Sequence, residues 1–280
     1  MQEQMGSKHQ KGYHFIIHFI LIIGSISMIL PFIWMILTSL KSYGEATQIP
    51  ITILPKVWKF DNYLKALKSL PFINLYINTF ILMVVRIICA VVFSSMAGYA
   101  FARIEFPGKK FLFSIVLIQM MVPMQVFIIP QFLLVLKLGW LNTVKALIVP
   151  GLVSAFGTFL LRQFFMGLPI DLEEAAILDG CNQWQIYSRV MLPLTKSGLV
   201  ALGIFTALFA WKDLMWPLIV NMSVTKMTLS SGLASLQGQF TTDYPVVMAG
   251  SFIAMWPMLL LFLIFQKQFV EGIALTGIKG

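Results

Sequence analysis

Residues 78–101 read NTFILMVVRIICAVVFSSMAGYAF, an apolar run in which Arg86 is the single charged residue. A helix needs about 20 predominantly apolar residues to cross the hydrocarbon core of a bilayer. This run is long enough, so we expect it to form one transmembrane helix. This run by itself indicates that the chain is a membrane protein.

Five further stretches meet the same criterion of length and apolarity. They cover residues 14–39, 111–136, 144–165, 198–220 and 246–266. The first follows two lysines, as in a signal peptide, but its apolar run is too long and no small-residue cleavage site follows it. Prolines inside the spans are expected to kink the helices. We therefore predict an all-α integral membrane protein with six transmembrane helices, folded as a single transmembrane domain over residues 1–280.

Composition supports this class and excludes others. Hydrophobic residues make up 59% of the 280 residues and charged residues 11%, whereas an ordinary soluble domain has about 25% charged residues. A soluble fold of this size has no core large enough to bury so much apolar surface. A soluble enzyme, a disordered protein and a disulfide scaffold are therefore excluded.

The net charge of +9 has a simple explanation in a membrane protein. Lysine and arginine at the membrane surface attract anionic lipid headgroups. No motif that reads RNA or DNA accompanies them, so we expect membrane lipid as a partner and no nucleic acid. Cys89 and Cys181 form no CxxC motif and no disulfide framework. His14 and His18 have i,i+4 spacing, but without a third ligand nearby they favour an interfacial helix over a metal site.

Six spans place both termini on the same side of the membrane. With the termini inside, ten lysines and arginines lie in inner segments and eight in outer ones. The positive-inside rule favours cytoplasmic termini. The margin is too small to settle the orientation.

Two loops are long. Residues 41–77 include FDNYLKALKSL at 60–70, an amphipathic piece with helical spacing that favours a position along the membrane surface. Residues 166–197 differ, because this loop carries four of the eleven acidic residues of the chain, Asp171, Glu173, Glu174 and Asp179. We expect this loop to carry the function.

The second loop has the signals of a helix, a turn and another helix. Asp171 is a good N-cap, and Glu174 three positions later matches a capping box. The first helix continues to Asp179, where Gly180 can take the left-handed conformation that stops it. Asn182 then caps a second helix, which the following proline ends.

The spacing in this loop resembles the EAA loop of ABC importer permeases. That family has E-A-A-x-x-D-G-A, eight residues and I-x-L-P before the penultimate span. Cys181 replaces the last alanine here and Val190 replaces the isoleucine, both mild changes in size. The resemblance implies that the loop docks an ATPase subunit, with two alanines leaving a flat surface for close approach. The predicted docking residues are Glu173, Glu174, Ala175, Ala176, Asp179, Gly180, Leu192 and Pro193.

A second motif narrows the resemblance to the carbohydrate importers, the maltose-permease-like group. Those permeases commonly have W-N-[DE]-x-x-x-P-L in the fifth span, and residues 211–218 of this chain read WKDLMWPL. They also tend to end in a glycine-rich basic tail, similar to EGIALTGIKG here. The resemblance covers the whole chain and implies that both termini are cytoplasmic. Lys212 departs from the pattern, since the family more often has asparagine there.

Arg86, Lys212 and Asp213 are charges inside predicted spans, where an unpaired charge is costly. One interpretation is that buried pairs of these charges lock helices together. The other is that they line a polar path for substrate, to which Trp211 and Trp216 also belong. Aromatic rings near the kinks, such as those of Trp216 and Trp256, would then stack on sugar faces. Aromatic residues at this depth also serve as packing or interface anchors. Both interpretations stay open at this point.

The resemblance implies a permease subunit that translocates a sugar or oligosaccharide across a bacterial cell membrane. The chain has no G-x-x-x-x-G-K-[ST] loop, so ATP must bind to a partner. We expect the chain itself to have no enzymatic activity, no cofactor and no metal site. The family assembles two ATPase subunits with two related permeases, and an extracytoplasmic binding protein delivers the substrate. The alternative is an ion-driven secondary transporter or channel, which normally shows inverted halves with matching broken helices.

Overall fold

A computed structural model describes the backbone of residues 2–238 and 242–277, with side chains over 16–238 and 242–267. Within these ranges the chain is all-helical, as the sequence predicted, and contains no strand. The side chains of His14 and of the basic tail lie outside the described residues, so those predictions stay predictions. The helices are α1 (Gln2–Ser39), α2 (Tyr43–Thr47), α3 (Asp61–Ser69), α4 (Phe72–Arg103), α5 (Lys109–Met121), α6 (Ile128–Lys137), α7 (Val144–Ile148), α8 (Ala155–Met166), α9 (Asp171–Leu178), α10 (Gln183–Leu194), α11 (Lys196–Lys212), α12 (Met215–Val220), α13 (Leu229–Ser235) and α14 (Tyr244–Gly277).

Apolar helices of membrane-spanning length are confirmed by the structure. Four helical segments are long and apolar enough, namely Ile16–Ser39, Phe72–Arg103, Val144–Met166 and Tyr244–Lys267. Two further spans arise only when bent pairs of helices are each taken as one, Lys109–Met121 with Met124–Lys137 and Gln183–Leu194 with Lys196–Lys212. The described chain therefore has four to six candidate spans.

The predicted third span, 111–136, is not one straight helix. α5 ends at Met121, and the chain bends by 101° before the helical segment Met124–Lys137. Val122 is extended, because the ring of Pro123 disfavours helical backbone in the residue before it. A count of apolar residues does not register this break.

The predicted fifth span, 198–220, is also broken. α11 ends at Lys212, and Asp213 is extended, with φ −61° and ψ 114°, before α12 begins at Met215. The position of the break follows from Pro217, whose ring would clash with the carbonyl four residues earlier in a continuous helix. That carbonyl belongs to Asp213. Lys212 and Asp213 therefore lie at a helix break and not in the middle of a helix.

The chain divides into two compact units. The first is Met1–Ser69 with Leu236–Trp256, and in it Ala66 of α3, within the predicted amphipathic piece, packs against Val246 and Ala249 of α14. The second is Leu70–Ser235 with Pro257–Gly280, and in it α4 packs along α8 and α11. The second unit contains every residue of the predicted docking loop and substrate path. The prediction of one domain over the whole chain stays a prediction.

Candidate functional site

The first helix of the loop, α9, begins without a side-chain cap. Ile170 occupies the N-cap position with helical backbone, and its carbonyl accepts hydrogen bonds from the N–H groups of Glu173 at 2.9 Å and Glu174 at 3.2 Å. The predicted capping box of Asp171 and Glu174 is therefore wrong. Asp171 lies in the first turn, where three carboxylates favour the positive end of the helix dipole.

The turn after α9 has the geometry that the sequence predicted. Asp179 is the C-cap, and Gly180 has a φ of +80°, in the left-handed region. The N–H of Gly180 donates to the carbonyl of Ile177 at 3.0 Å, and that of Cys181 donates to the carbonyl of Ala176 at 3.0 Å. These two bonds form a Schellman motif, which satisfies the last carbonyls of the helix. A Cβ at Gly180 would meet no neighbour, so the constraint is purely one of backbone conformation.

The second helix of the loop, α10, begins as predicted. The side chain of Asn182 accepts a hydrogen bond from the N–H of Gln185 at 2.9 Å. The side chain of Gln185 in turn accepts one from the N–H of Asn182 at 2.8 Å. This reciprocal pair is a capping box, and it fixes the direction of α10 after the turn.

The end of α10 differs from the prediction that Pro193 ends the helix. The segment Ile186–Met191 is π-helical, and a new α-helical turn starts at Leu192. Pro193 lies in the first turn of that segment, where proline is tolerated. The helix therefore runs through Pro193 to Leu194, and the chain then bends by 75° into α11.

The inner face of α9 is fixed to the bundle by Glu173 and Ala176. Ala176 is buried in a core cluster with Phe165 and Tyr187. Oε1 of Glu173 lies 3.4 Å from Nε of Arg103, at the end of α4. Residues three apart share a face of a helix, and this face points inward. The prediction that Ala176 adds to an exposed flat surface is therefore wrong.

Arg103 connects three elements. Its Nε and Nη2 donate to the carbonyl of Phe165 at 3.1 and 2.7 Å, and Nη2 also donates to the carbonyl of Leu168. Together with the ion pair to Glu173, one guanidinium joins α4, the end of α8 and α9. Burial raises the pKa of Glu173 above its usual value, and the charge of Arg103 lowers this pKa in part.

The two loop helices also share a packed core with α4. The buried hydroxyl groups of Tyr187 and Ser95 lie 2.7 Å apart. The ring of Tyr99 lies 5.3 Å from the ring of Tyr187 and 5.5 Å from that of Phe165. Edge-on and tilted aromatic contacts of this kind add to the stabilisation from burial. The exposed turn is therefore backed by buried side chains of α4, α8 and α10.

The outer face of α9 is open at the surface of the chain. Glu174 and Ala175 are exposed, and Leu178 is 89% exposed. Ile177 and, at the start of α10, Trp184 are exposed as well. Contiguous apolar side chains on a surface mark a site that meets another protein or a membrane. We call these five residues the docking face.

Arg86 and Asp213 form an ion pair inside the bundle. Nη1 of Arg86 lies 3.0 Å from Oδ2 of Asp213, and the side chains are 10% and 14% exposed. Nη2 of Arg86 donates to the carbonyl of Leu147 at 2.6 Å. Gly151 leaves room for the guanidinium, because a Cβ there would lie 2.6 Å from Nε of Arg86. The pair joins α4, α7 and the break after α11, as the helix-locking interpretation requires.

Lys212 has a different environment from its neighbour. Its side chain is exposed, and Nζ lies 4.8 Å from the centre of the Phe209 ring, a cation–π contact. In the described part of the chain no ion pair joins Lys212 to Asp213. Of the three predicted intramembrane charges, the structure brings together only Arg86 and Asp213.

The two tryptophans of the WKDLMWPL motif pack against their own chain. Trp216 is 4% exposed, and its Nε1 donates to the carbonyl of Ala146 at 2.9 Å. Trp211 is partly buried, and its ring centre lies 6.5 Å from that of Tyr76. Trp216 has no face open to a sugar, so the packing interpretation holds for it.

Sequence reasoning missed Arg103 and the carbonyl of Leu147. Arg103 is the last residue of a long apolar helix, where a cation can meet free helix carbonyls, and that signal was available. The role of Leu147 rests on its backbone, which no side-chain pattern reveals. Gly151 likewise matters only because Arg86 approaches it in space.

Comparisons with known proteins agree with this architecture. Residues 90–274 match the family described as binding-protein-dependent transport system inner membrane component. The arabinooligosaccharides transport system permease protein AraQ of Bacillus subtilis is 36% identical over 259 residues, covering 91% of this chain and 92% of that protein. The diacetylchitobiose uptake system permease protein NgcG of Streptomyces coelicolor is 32% identical over 261 residues, covering 92% and 86%.

A solved structure has the same fold. It is the crystal structure of a bacterial ABC transporter involved in the import of the acidic polysaccharide alginate. A chain of that structure superposes with a TM-score of 0.79, covering 92% of this chain and 96% of its own length at 23% identity. At that identity the likeness shows the fold.

Proposed function

The chain belongs to the family of inner membrane components of binding-protein-dependent transport systems, and from this premise we propose that it is the permease subunit of an ATP-driven importer of oligosaccharides. The substrate class is supported by the relatives named for arabinooligosaccharides and diacetylchitobiose. An extracytoplasmic binding protein delivers the substrate to the complex. The chain itself binds no ATP and catalyses no reaction.

The observation that carries this proposal is the division of α9 into two faces. Glu173 and Ala176 attach the helix to the bundle, whereas Glu174, Ala175 and Leu178 stay exposed at the surface of the chain. A helix that is anchored on one side and open on the other can transmit a force from a partner to the spans. We infer that the partner is an ATPase subunit, present in two copies per complex.

The coupling is thermodynamic in origin. ATP can favour one arrangement of the spans only if it binds better to the ATPase state that accompanies this arrangement. The docking face moves with the ATPase, and Arg103 conveys the movement to α4 and to the end of α8. The loop 166–197 is therefore the coupling loop of the importer.

The topology of the proposal has six spans: the bent pair of Lys109–Met121 and Met124–Lys137 counts as the third, and the fifth covers 198–220, after the coupling loop. Both termini and the coupling loop lie on the cytoplasmic side, where the ATPase subunits bind. A second, related permease completes the transmembrane part of the complex. The whole chain then acts as a single transmembrane domain.

The substrate path is assigned to the helix break after α11. Arg86 and Asp213 hold that break in place by their buried pair. Lys212, at the same break, keeps its side chain exposed. We therefore place Lys212 on the path and the pair of Arg86 and Asp213, with Trp211 and Trp216, in its supporting wall.

Purification of the tagged full-length chain from membranes tests the proposal. We expect an ATPase subunit and a second permease to co-purify, and ATP hydrolysis to increase when the loaded binding protein is added. In proteoliposomes the complex should take up a labelled arabino-oligosaccharide only when ATP is supplied on the ATPase side. Uptake driven by an ion gradient without any ATPase partner would instead support a secondary transporter.

A further inference from the structure

A basic cavity lies beside the end of α4, in the second unit of the chain. Its volume is about 770 Å³. Its lining includes three cations, one carboxylate and four phenylalanine rings, namely Lys109, Lys110, Arg162, Glu105, Phe101, Phe106, Phe111 and Phe113. The residues come from α4, α5, α8 and the α4–α5 connection. The three positive charges face one negative charge, so the cavity is suited to an anion.

Arg162 is held at the wall of this cavity. Its Nε donates to the carbonyl of Phe101 at 3.1 Å, and Cζ of the guanidinium lies 4.2 Å from the centre of the Phe113 ring. Neither contact neutralises its charge. Among the described residues, Arg162 and Lys110 take part in no ion pair. In the described chain, therefore, no carboxylate lies within ion-pair distance of these two cations.

The third cation, Lys109, has only a weak partner. Its Nζ lies 2.8 Å from Oε1 of Glu105, four residues earlier, and the Glu105 side chain is 89% exposed. The hydrogen bond from Lys109 lowers the pKa of Glu105, and the charge of Lys109 adds to this effect. An ion pair whose carboxylate is this exposed contributes little to stability. An anion that binds Lys109 more strongly can therefore replace Glu105 with little loss of stability.

The charges in the first turn of α5 run against the helix dipole. Lys109 and Lys110 stand at the positive end of the helix, this turn contains no acidic residue, and the N-cap Gly108 provides no side-chain hydrogen bond. Cations at this end of a helix are unfavourable. An anion held between Lys110 and Arg162 would offset the repulsion.

An exposed apolar stripe on α5 indicates where the anion comes from. Phe111, Ile115 and Ile118 lie at positions i, i+4 and i+7 and are 69%, 48% and 57% exposed. They form one face of the helix, which begins at the cavity and continues along the predicted third span. A free anion needs no such stripe, whereas the acyl chains of a lipid would lie along it.

We propose that this cavity binds the phosphate headgroup of an anionic phospholipid. Lys110 and Arg162 pair with the phosphate, and the acyl chains follow Phe111, Ile115 and Ile118. Basic pockets between transmembrane helices are suited to such headgroups. The headgroup lies in the cytoplasmic leaflet, because the cavity is at the end of α4 where Arg103 contacts Glu173 of the coupling loop. Only this choice of leaflet rests on the proposed function.

The test is a titration of the purified full-length chain, with the partners that co-purify, by phosphatidylglycerol in detergent. Bound lipid is counted by native mass spectrometry, and phosphatidylcholine serves as the neutral control lipid. We expect saturable binding of phosphatidylglycerol that Lys110→Gln and Arg162→Gln each weaken about fivefold. Glu105→Gln should strengthen binding, because it removes the competing carboxylate. Lys267→Gln, which removes an exposed lysine outside the cavity, should leave binding unchanged.

Several outcomes would overturn the proposal. Equal binding of phosphatidylglycerol by Lys110→Gln and wild type is one, and equal binding of phosphatidylcholine and phosphatidylglycerol is another. Displacement of the lipid by millimolar inorganic phosphate would identify free phosphate as the ligand. Lys110 is exposed, so its variant tests the site even if Arg162→Gln fails to fold. A missing ATPase partner would contradict the proposed function and would leave the lipid titration interpretable.

Discussion

Arg86 and Asp213 are 127 positions apart in the sequence, and Nη1 of the one lies 3.0 Å from Oδ2 of the other. Asp213 is available for this contact because Pro217 breaks the helix at that residue. The guanidinium also reaches the carbonyl of Leu147, so it connects three helical elements. Each charge alone would be costly in a membrane, and the pairing offsets this cost. We call the pair of Arg86 and Asp213 the clamp.

The clamp predicts a strongly non-additive response to mutation. Asp213→Leu leaves a buried guanidinium without its partner, and we expect a loss of about 3–5 kcal/mol in the free energy of unfolding. The double variant Arg86→Met with Asp213→Leu should be more stable than Asp213→Leu alone. Thermal unfolding of the purified complex, analysed as a double-mutant cycle, measures the coupling. Additive effects of the two changes would contradict a buried pair.

Glu174 on the docking face gives a prediction about partner binding. Glu174→Lys reverses a charge on the exposed side of α9, so the ATPase should dissociate or lose its response to substrate, while the chain still folds. Co-purification of the ATPase is the measurement. Asp61→Lys, a reversal at an exposed carboxylate in the first turn of α3, outside the loop, is the matched control and should retain the ATPase. Equal retention by both variants would remove Glu174 from the interface.

Gly180 predicts a backbone effect on coupling. Valine is strained at a φ of +80°, by about 1–2 kcal/mol or more, and would displace α10 from its direction. Gly180→Val should insert into the membrane normally and lose ATP-dependent transport. Gly180→Asn, which tolerates the left-handed region, should retain most of the transport. Normal transport by the valine variant would show that the turn is not required in this form.

Lys212 predicts a change in transport without a change in stability. Its side chain is exposed and has no ion pair with Asp213, so Lys212→Ala should shift the free energy of unfolding by less than about 0.5 kcal/mol. Lys212→Asn, the residue more usual in the family, should alter the rate or the range of oligosaccharides transported. Uptake assays with several labelled oligosaccharides check this. A large loss of stability would show that Lys212 has a structural partner.

The raised pKa of Glu173 predicts how the stability of the chain depends on pH. Its pKa is raised in the folded chain by burial, against the partial opposing effect of Arg103, so the unfolded chain releases this proton at lower pH. The folded state therefore binds more protons above the usual value of 4.5, and stability falls as the pH rises through the raised pKa. Glu173→Gln cannot titrate and should show a shallower fall.

Melting temperatures of the two proteins from about pH 4 to pH 7 provide the comparison. Other carboxylates titrate in the same range, so the informative quantity is the difference between wild type and Glu173→Gln. A wild-type stability that rises with pH relative to the variant would mean that the attraction of Arg103 outweighs the burial of the carboxylate.

The parts of the loop that the sequence predicted correctly depend on local chemistry. Gly180 and Asn182 stop and start helices through their own backbone and side-chain preferences, and both adopt the expected geometry. Asp171 failed as a cap because Ile170 is already helical. Pro193 does not end the helix as predicted. The π-helical segment Ile186–Met191 is followed by a new α-helical turn, and proline is tolerated in the first turn of a helical segment.

The remaining differences depend on contacts between distant segments. The inner face of α9 is determined by Arg103 and Phe165, which no pattern within the loop specifies. The sequence left the pairing among Arg86, Lys212 and Asp213 open, whereas in the structure Asp213 pairs with Arg86. Trp216 is buried by packing against Leu82 and Leu147, and its Nε1 donates to the carbonyl of Ala146, 70 positions earlier. Spacing along one helix cannot reveal such pairs.

The guanidinium of Arg103 has a mechanical consequence. The same group contacts both the carbonyl of Phe165 and the carboxylate of Glu173, so the end of α8 and the start of α9 are attached to one side chain of α4. A displacement of α9 would therefore change the contacts of Arg103 with Glu173 and with the end of α8 at the same time. If α9 has the proposed coupling role, a tilt of this helix would therefore move α4 and α8 together.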